Sequence, residues 1–379
     1  MNRSLSRKRI AFIIPDELPG MSPAGGIGVF VDTLSRGLIE NGFNCSIIVI
    51  GSKRKDVTDK PYKVICINTN CTIRLIAIVV NQIKTQIHLW KERYCLVEIS
   101  TSDNFFQVPL IHRNLVCRTH GARSIVTKYG IKKGGRLDSV LKTNHEFWAT
   151  KCSRKIIAIS KLMYEHYSRF AYKMVYIPNF ANNAYSLMTP KTQVHSRRFI
   201  FYHGTLKRIK GIIELAEAVA NIQKHDQDLD LIVAGKNTNY DDIQSFSSYL
   251  VNILGDRVKY LGEINDPATI KPYLRNADVC VYPSHIEPFG LTIIEAMSQE
   301  GLVLCSDIID AEIIKQGYNG FRFNTQDKES LIENLRLVLY NLDSCKKAEI
   351  RRNAYTTFHE KFSFEIGVVN NVSFYSSVI

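Results

Sequence analysis

The chain has 379 residues, 45% apolar and 22% charged, which is ordinary for a soluble globular protein and long enough for two α/β domains with separate cores. No window supplies the roughly 20 apolar residues of a membrane span, since Cys71 to Ile87 is broken by Arg74, Asn81 and Lys84, and the basic opening leads into an apolar run, Ile10 to Ile14, too short for a signal-peptide core. Nine scattered cysteines without a C-x-x-C pair argue for reduced thiols in a cytoplasmic protein and against a zinc site, and the net charge of +13 is uneven: residues 1–190 carry 28 Lys and Arg against 12 Asp and Glu, residues 191–379 carry 21 against 24.

In chain order, Ile10 to Ile14 reads as a buried strand, followed by a glycine-rich loop ending Gly25-Gly26-Ile27-Gly28 and a helix with Phe30, Leu34 and Leu38 on one face. Cys45 to Ile50 is the next strand. A glycine loop in a first β-α-β turn lets backbone approach a ligand phosphate. The G-x-G-x-x-G spacing is missing, however, and no acidic residue ends the second strand, which counts against a dehydrogenase. Thr72 to Glu92 reads as a long helix, while Leu96 to Ser100 and Leu115 to Arg118 read as strands. The last runs into Thr119-His120-Gly121, which puts a histidine at the ligand edge of a sheet; on residues alone such a histidine is more often structural. Arg118, Arg123, Lys128, Lys132, Lys133 and Arg136, interleaved with apolar residues, are placed to meet phosphates of a lipid-linked acceptor. Lys155 to Ser160 and Met174 to Ile177 are further strands. The polar, aperiodic stretch 181–198 reads as an interdomain linker.

The second half opens on the strand Phe199 to His203, then Gly204-Thr205-Leu206-Lys207-Arg208-Ile209-Lys210-Gly211 and a helix from Ile212. Basic residues between a strand end and a helix suit a phosphate clamp, although a solvated turn has the same composition. Asp226-Gln227-Asp228 offers the D-x-D of metal-dependent transferases, but a polar turn before the strand Leu229 to Gly235 explains it, and no metal is expected. Val258 to Gly262 is a strand with Glu263 beyond it, and Ile270 to Asn276 is a helix. Val279 to Tyr282 and Leu302 to Cys305 are buried strands flanking the helix Leu291 to Ser298. Glu287 lies on the loop and Glu295 about one turn inside that helix. The N–H groups of Phe289, Gly290 and Leu291 open the helix without internal partners, which suits a diphosphate. Two carboxylates beside them suit sugar and ribose hydroxyls, so the arrangement asks for a nucleotide-sugar; a capping carboxylate on an ordinary amphipathic helix fits the bare spacing equally well.

The whole string Ala277-Asp278, Pro283-Ser284, Glu287-x-Phe289-Gly290-Leu291, Glu295-Ala296-Met297 closely resembles the donor-site signature of glycosyltransferase family 4, group 1 retaining enzymes with two Rossmann-like domains (GT-B). Gly26 and Gly28, Ile177-Pro178-Asn179, Lys210-Gly211, Leu261-Gly262, Glu312 and Tyr318-Asn319-Gly320 extend the resemblance over most of the chain. It departs from the pattern at Thr205, where an arginine is usual, at Glu300 and Leu302, and at Ile308-Ile309. The resemblance implies two doubly wound α/β domains facing across a cleft: 1–185 on the acceptor side, 186–360 binding the donor, and 361–379 a helix packing back on the first domain. It assigns catalytic roles to Glu287, His120 and Lys210. Donor binding falls to Gly26, Gly28, Gly204, Arg208, Lys210, Gly262, Glu263, Phe289, Gly290, Leu291 and Glu295, with Arg208 expected to replace the missing arginine.

The activity implied is sugar transfer, with retention, from a nucleotide-diphosphate sugar such as a UDP- or GDP-sugar to a glycan or lipid-linked acceptor. No cofactor is required. The expected setting is lipopolysaccharide or capsule assembly, with the basic first domain meeting an anionic membrane surface at its cytoplasmic face. No RNP, zinc-finger or helix-turn-helix pattern supports a nucleic-acid partner. A catalytically silent nucleotide-sugar-binding subunit and a GT-B-type epimerase are the alternative readings.

Overall fold

Two all-parallel sheets carry the chain, and parallel strands covered on both faces explain why so many segments read as unbroken apolar runs. The computed structural model describes residues 8–15, 18–19, 26–51, 59–102, 107–122, 125, 136–237, 245–264 and 266–379. The chain divides into two units, residues 1–179 with Gly367–Ile379, and Phe180–Ile366.

In the first unit, β1 (Arg9–Pro15), β2 (Asn44–Ile50), β3 (Lys63–Ile67), β4 (Leu96–Ser100), β5 (Leu115–Arg118), β6 (Lys155–Ala158) and β7 (Met174–Tyr176) lie in the order β3-β2-β1-β4-β5-β6-β7. Helices α1 (Gly26–Glu40), α2 (Arg74–Glu92), α3 (Arg136–Cys152) and α4 (Lys161–His166) join them. The strand order reverses between β1 and β4, so ligands are expected beyond the carboxyl ends of those strands. β3 was not legible as a strand: it is an edge strand, half-buried along most of its length.

The second unit repeats the scheme. β8 (Arg198–His203), β9 (Leu229–Ala234), β10 (Val258–Tyr260), β11 (Val279–Tyr282), β12 (Val303–Ser306) and β13 (Phe321–Phe323) lie in the order β10-β9-β8-β11-β12-β13, reversing between β8 and β11. The helices are α5 (Ile212–Gln223), α6 (Phe246–Leu254), α7 (Pro267–Asn276), α8 (Leu291–Met297), α9 (Lys328–Arg336) and α10 (Ser344–Lys361), while α11 (Phe364–Val378) starts in this unit and from Gly367 on belongs to the first. Leu215, Val219, Leu231, Val233, Val281 and Leu304 are fully buried in its core.

Residues 181–198 are not a free linker, and the division falls after Asn179 instead of 185. The segment is laid on the second unit because its backbone finds partners there. Ala181 N donates to Phe362 O at 3.0 Å and Thr189 N to Gln299 Oε1 at 2.8 Å. Tyr185 is buried, and His195 Nε2 lies 2.6 Å from Asp230 Oδ2. At the other end the chain rejoins the first unit at Gly367 instead of 361, after the Phe364 ring has packed edge-on against Phe180. From there α11 sends Asn371 and Tyr375 into the first unit's core.

None of the nine cysteines forms a disulfide: four are buried, four half-buried and Cys345 exposed. Among the described residues no helix is long and apolar enough to cross a membrane.

Candidate functional site

Beyond β8 the chain passes Gly204 and makes a 3-10 turn, Arg208–Lys210, before Gly211 opens α5. Gly211 has φ +71°, and a Cβ there would overlap the carbonyl oxygen of Pro283, just past β11. Glycine is therefore what lets this turn close on the neighbouring strand end. His285 N completes the closure by donating to Ile209 O at 2.9 Å. The result sets Lys210 Nζ 2.6 Å from Glu287 Oε2 at the strand-order reversal. Both side chains keep some exposure, so the pair adds less than about 1 kcal/mol to stability. Its importance is placement: a cation and a carboxylate share one point on the sheet's carboxyl edge.

Glu287 lies against Gly290, whose φ of +102° turns the chain into α8. Phe289 is buried edge-on against Phe362 at 5.9 Å and anchors that turn. Gly290 O accepts from Ile293 N at 3.0 Å, while the N–H groups of Gly290, Leu291 and Thr292 come before the helix's first internal donors.

One turn further, Glu295 sits among aromatic groups. Its Oε2 is 3.6 Å from His203 Nδ1, a buried atom without a hydrogen-bond partner among the described residues, as is Tyr282 Oη. Burial raises the Glu295 carboxyl from an ordinary 4.5 to about 8 and lowers the His203 imidazole to about 4. At neutral pH the pair is therefore mostly uncharged: a carboxylic acid facing a neutral ring. His203 and Tyr282 escaped the sequence reading; the available signal was a polar ring closing each of two adjacent apolar strands.

These two shifts act on stability with opposite signs. The depressed histidine makes the folded state bind fewer protons than the unfolded one between about pH 4 and 6.5, so its contribution rises with pH there. The raised carboxyl makes the folded state bind more protons between about pH 4.5 and 8, so its contribution falls with pH. Above pH 6.5 only the second effect remains. Relative to Glu295→Gln, the wild-type protein is expected to lose about 2 kcal/mol between pH 6.5 and 8 in urea melts; parallel curves for the two proteins would contradict this.

Glycines also end β8, β9 and β10. Gly204 N donates to Ala234 O at 2.9 Å and Gly235 N to Gly262 O at 2.8 Å. At Gly235, φ +142°, a Cβ would collide with Gly204 O, so this edge carries bare backbone. Glu263 is exposed beyond it. Arg208, expected beside Lys210, is exposed, and its charge is felt by Glu214 on α5 and Tyr249 on α6. In the D-x-D segment the first carboxylate is engaged: Asp226 accepts from Tyr340 Oη at 2.7 Å and from Arg198 Nη1 at 3.2 Å, and its Oδ1 accepts from Asp228 N at 3.0 Å.

In the first unit, His120 lies just past β5 with its ring edge-on to Phe30 of α1 at 5.4 Å. Burial, then the nearby Arg118 charge, lower its pKa to about 3, so the imidazole is neutral. Gly26 begins α1 and Gly28 is buried within it. Residues 20–25 of the glycine loop and Arg123, Lys128, Lys132 and Lys133 lie outside the described residues, while Arg136 opens α3. Arg118 does not reach out to phosphates. It is fully buried, with Nε 2.7 Å from Glu98 Oε1 and Nη2 donating to Asn371 Oδ1 at 2.6 Å and Tyr375 Oη at 3.0 Å. A strand-end guanidinium with four acceptor atoms inside the fold has no reason to leave it.

Residues 188–356 match the family described as glycosyl transferases group 1. Over 368 residues, 90% of this chain and 91% of the relative, the sequence is 25% identical to an uncharacterized glycosyltransferase of Methanocaldococcus jannaschii. Over 124 residues, 31% of this chain and 34% of the relative, it is 34% identical to the lipopolysaccharide core biosynthesis mannosyltransferase LpcC of Rhizobium leguminosarum. The fold is similar to that of Anabaena HepE in complex with UDP-glucose, with a TM-score of 0.72, 17% identity, and coverage of 98% of this chain and 100% of the other. The chain is a glycosyltransferase of GT-B fold, and residues 188–356, within its second unit, are similar to the glycosyl transferases group 1 family.

Proposed function

We propose that this glycosyltransferase moves a sugar, with retention of anomeric configuration, from a nucleotide-diphosphate sugar to a glycan or lipid-linked acceptor of a surface polysaccharide. The observation that carries the donor reading is the Lys210–Glu287 pair at 2.6 Å, beside the opening of α8 and one turn from Glu295. Lys210 would neutralise the diphosphate as the bond from the anomeric carbon to phosphate oxygen breaks and its electron pair leaves with the phosphate. Glu287 and the N–H groups at Gly290 and Leu291 would hold the sugar and diphosphate. Glu295, with His203 and Tyr282 beside it, would take the ribose hydroxyls. A neutral His120 suits hydrogen bonding to a hydroxyl of the sugar or acceptor, since its imidazole is uncharged at neutral pH. Retention then requires the acceptor oxygen to arrive on the face the diphosphate leaves.

The polysaccharide setting is supported by the similarity to a lipopolysaccharide core mannosyltransferase, and the donor class by the likeness to a fold that holds UDP-glucose. The test is a thermal-shift panel of UDP- and GDP-sugars. A true donor at 100 times its Kd is expected to stabilise the folded chain by about 2.7 kcal/mol. A flat response across the panel would overturn the donor reading, and an inverted product configuration by NMR would overturn retention.

A further inference from the structure

Helix α2 faces the wrong way for an ordinary surface helix. Its buried side carries Asn81, Gln82 and Thr85 beside Ile78 and Leu89. Its outward side carries Ile73, Ile76, Val79, Ile83, Ile87 and Trp90, each between 42% and 60% exposed. At about 100° per residue these six positions fall within an arc of roughly 120°, and they run about 26 Å along the axis. An exposed apolar stripe of that length on one helix is beyond the scattered exposure normal for a soluble surface.

The polar residues are arranged to hold this face. Gln82 donates from Nε2 to Val108 O at 2.7 Å and accepts from Gln107 N at 3.0 Å. Gln86 repeats the pattern with Ile111, donating to its carbonyl and accepting from its N–H, both at 2.9 Å. Two side-chain amides thus pin the adjoining segment as a neighbouring strand would, and they leave Val108 and Ile111 more than half exposed along that flank. On the opposite shoulder are Lys84 and Lys91, exposed, with Arg93 at the helix end. The helix's one carboxylate, Glu92, is matched by Arg9 and by Lys63 at 3.7 Å. The face is therefore apolar along its crest and cationic at its shoulder.

We infer that α2 docks this chain onto an anionic lipid surface, lying in the plane of the interface with the stripe at the acyl boundary and Lys84 and Lys91 among the headgroup phosphates. The lysines line one edge of the stripe, Lys91 in line with Ile73 and Lys84 about 20° beyond, and Trp90 ends the stripe next to Lys91, which is the distribution an interfacial helix needs. This deepens the membrane-borne acceptor proposed above: an enzyme held at the surface meets a lipid-linked acceptor where the acceptor resides.

The experiment is co-sedimentation of the full chain with vesicles of phosphatidylcholine alone or with about 30% phosphatidylglycerol. Wild type is expected to bind the anionic vesicles and to release as salt rises. The triple variant Ile76→Ser, Ile83→Ser, Trp90→Ser is expected to weaken that binding more than about tenfold, and Lys84→Glu with Lys91→Glu by about tenfold. These side chains face outward, so both variants are expected to keep the wild-type urea midpoint. In a Trp148→Phe background Trp90 is the remaining tryptophan, and its emission is expected to shift to the blue on anionic vesicles. Wild type that ignores anionic vesicles, or binding indifferent to the stripe variant, would overturn the inference. So would a wild-type dimer in sedimentation velocity that the stripe variant turns into monomer, since a second copy would then be the occupant. Nucleotide-sugar thermal shifts in the stripe variant keep the two readings separate: docking can fail with donor binding intact, and donor binding can fail with docking intact.

Discussion

Lys210→Ala is expected to lower kcat/KM for sugar transfer by about 10²- to 10³-fold, while moving the urea midpoint by less than the equivalent of about 1 kcal/mol. The split between the two effects is what makes the result informative. Lys210 and Glu287 are both partly exposed, so their ion pair is solvent-screened and contributes little to folding. A leaving diphosphate, by contrast, gains charge at the moment its bond breaks, and a cation already fixed at that point needs no reorganisation to meet it. Gly211 and the His285–Ile209 hydrogen bond hold the turn independently of the lysine side chain, so the backbone is expected to survive the substitution. Lys210→Arg is expected to recover part of the rate, because charge is retained while the guanidinium's planar fork fits a differently shaped site. Transfer assays with the donor found by thermal shift, run beside urea melts, decide the matter. Wild-type turnover in Lys210→Ala, or a loss of activity that merely tracks a loss of folding, would remove Lys210 from the chemistry.

The pair joins two segments 77 residues apart, and that distance marks the limit of what the sequence made legible. Strands such as Leu229–Ala234 and Val279–Tyr282 stood out because parallel sheets bury both faces of a strand. β13 did not stand out, being three residues at a sheet edge. Helix α10 was missed because its long polar sequence has weak periodicity; it is tied down by Arg351, which donates to the carbonyls of Glu300 and Ala277 at 2.9 and 2.7 Å. The same turn explains one departure from the family pattern. Glu300 takes φ +53°, where glycine is usual, and its carboxylate meets Arg275 at 3.1 Å. At the site, Lys210, Glu287 and Glu295 were legible as parts of a motif. Their neighbours His203 and Tyr282 were not, since whether a strand-end ring turns into the core or toward a carboxylate depends on the adjacent strand.

Arg118 is the case where charge counting pointed the wrong way, and its removal is expected to produce the largest stability loss. Arg118→Leu should cost about 3–5 kcal/mol in urea melts, because Glu98 would remain in the core as a carboxylate without its cation. Removing the offending charge as well, in Arg118→Leu with Glu98→Leu, is expected to recover most of that loss. The coupling in the double-mutant cycle then measures the pair, whereas additive losses would mean the side chains matter only as packing volume. The helix end enters the same cluster. Tyr375 Oη donates to Glu98 Oε2 at 2.6 Å and accepts from Arg118, whose Nη2 also bonds Asn371, so α11 supplies two of the groups that keep the guanidinium solvated inside the fold. Tyr375→Phe is therefore expected to destabilise less than Arg118→Leu but in the same cluster, and to lose its effect in the double-leucine background. Since Arg118 lies two residues before His120 and its guanidinium stacks on Phe30 at 5.1 Å, the ring His120 packs against, the cluster also fixes where that imidazole stands.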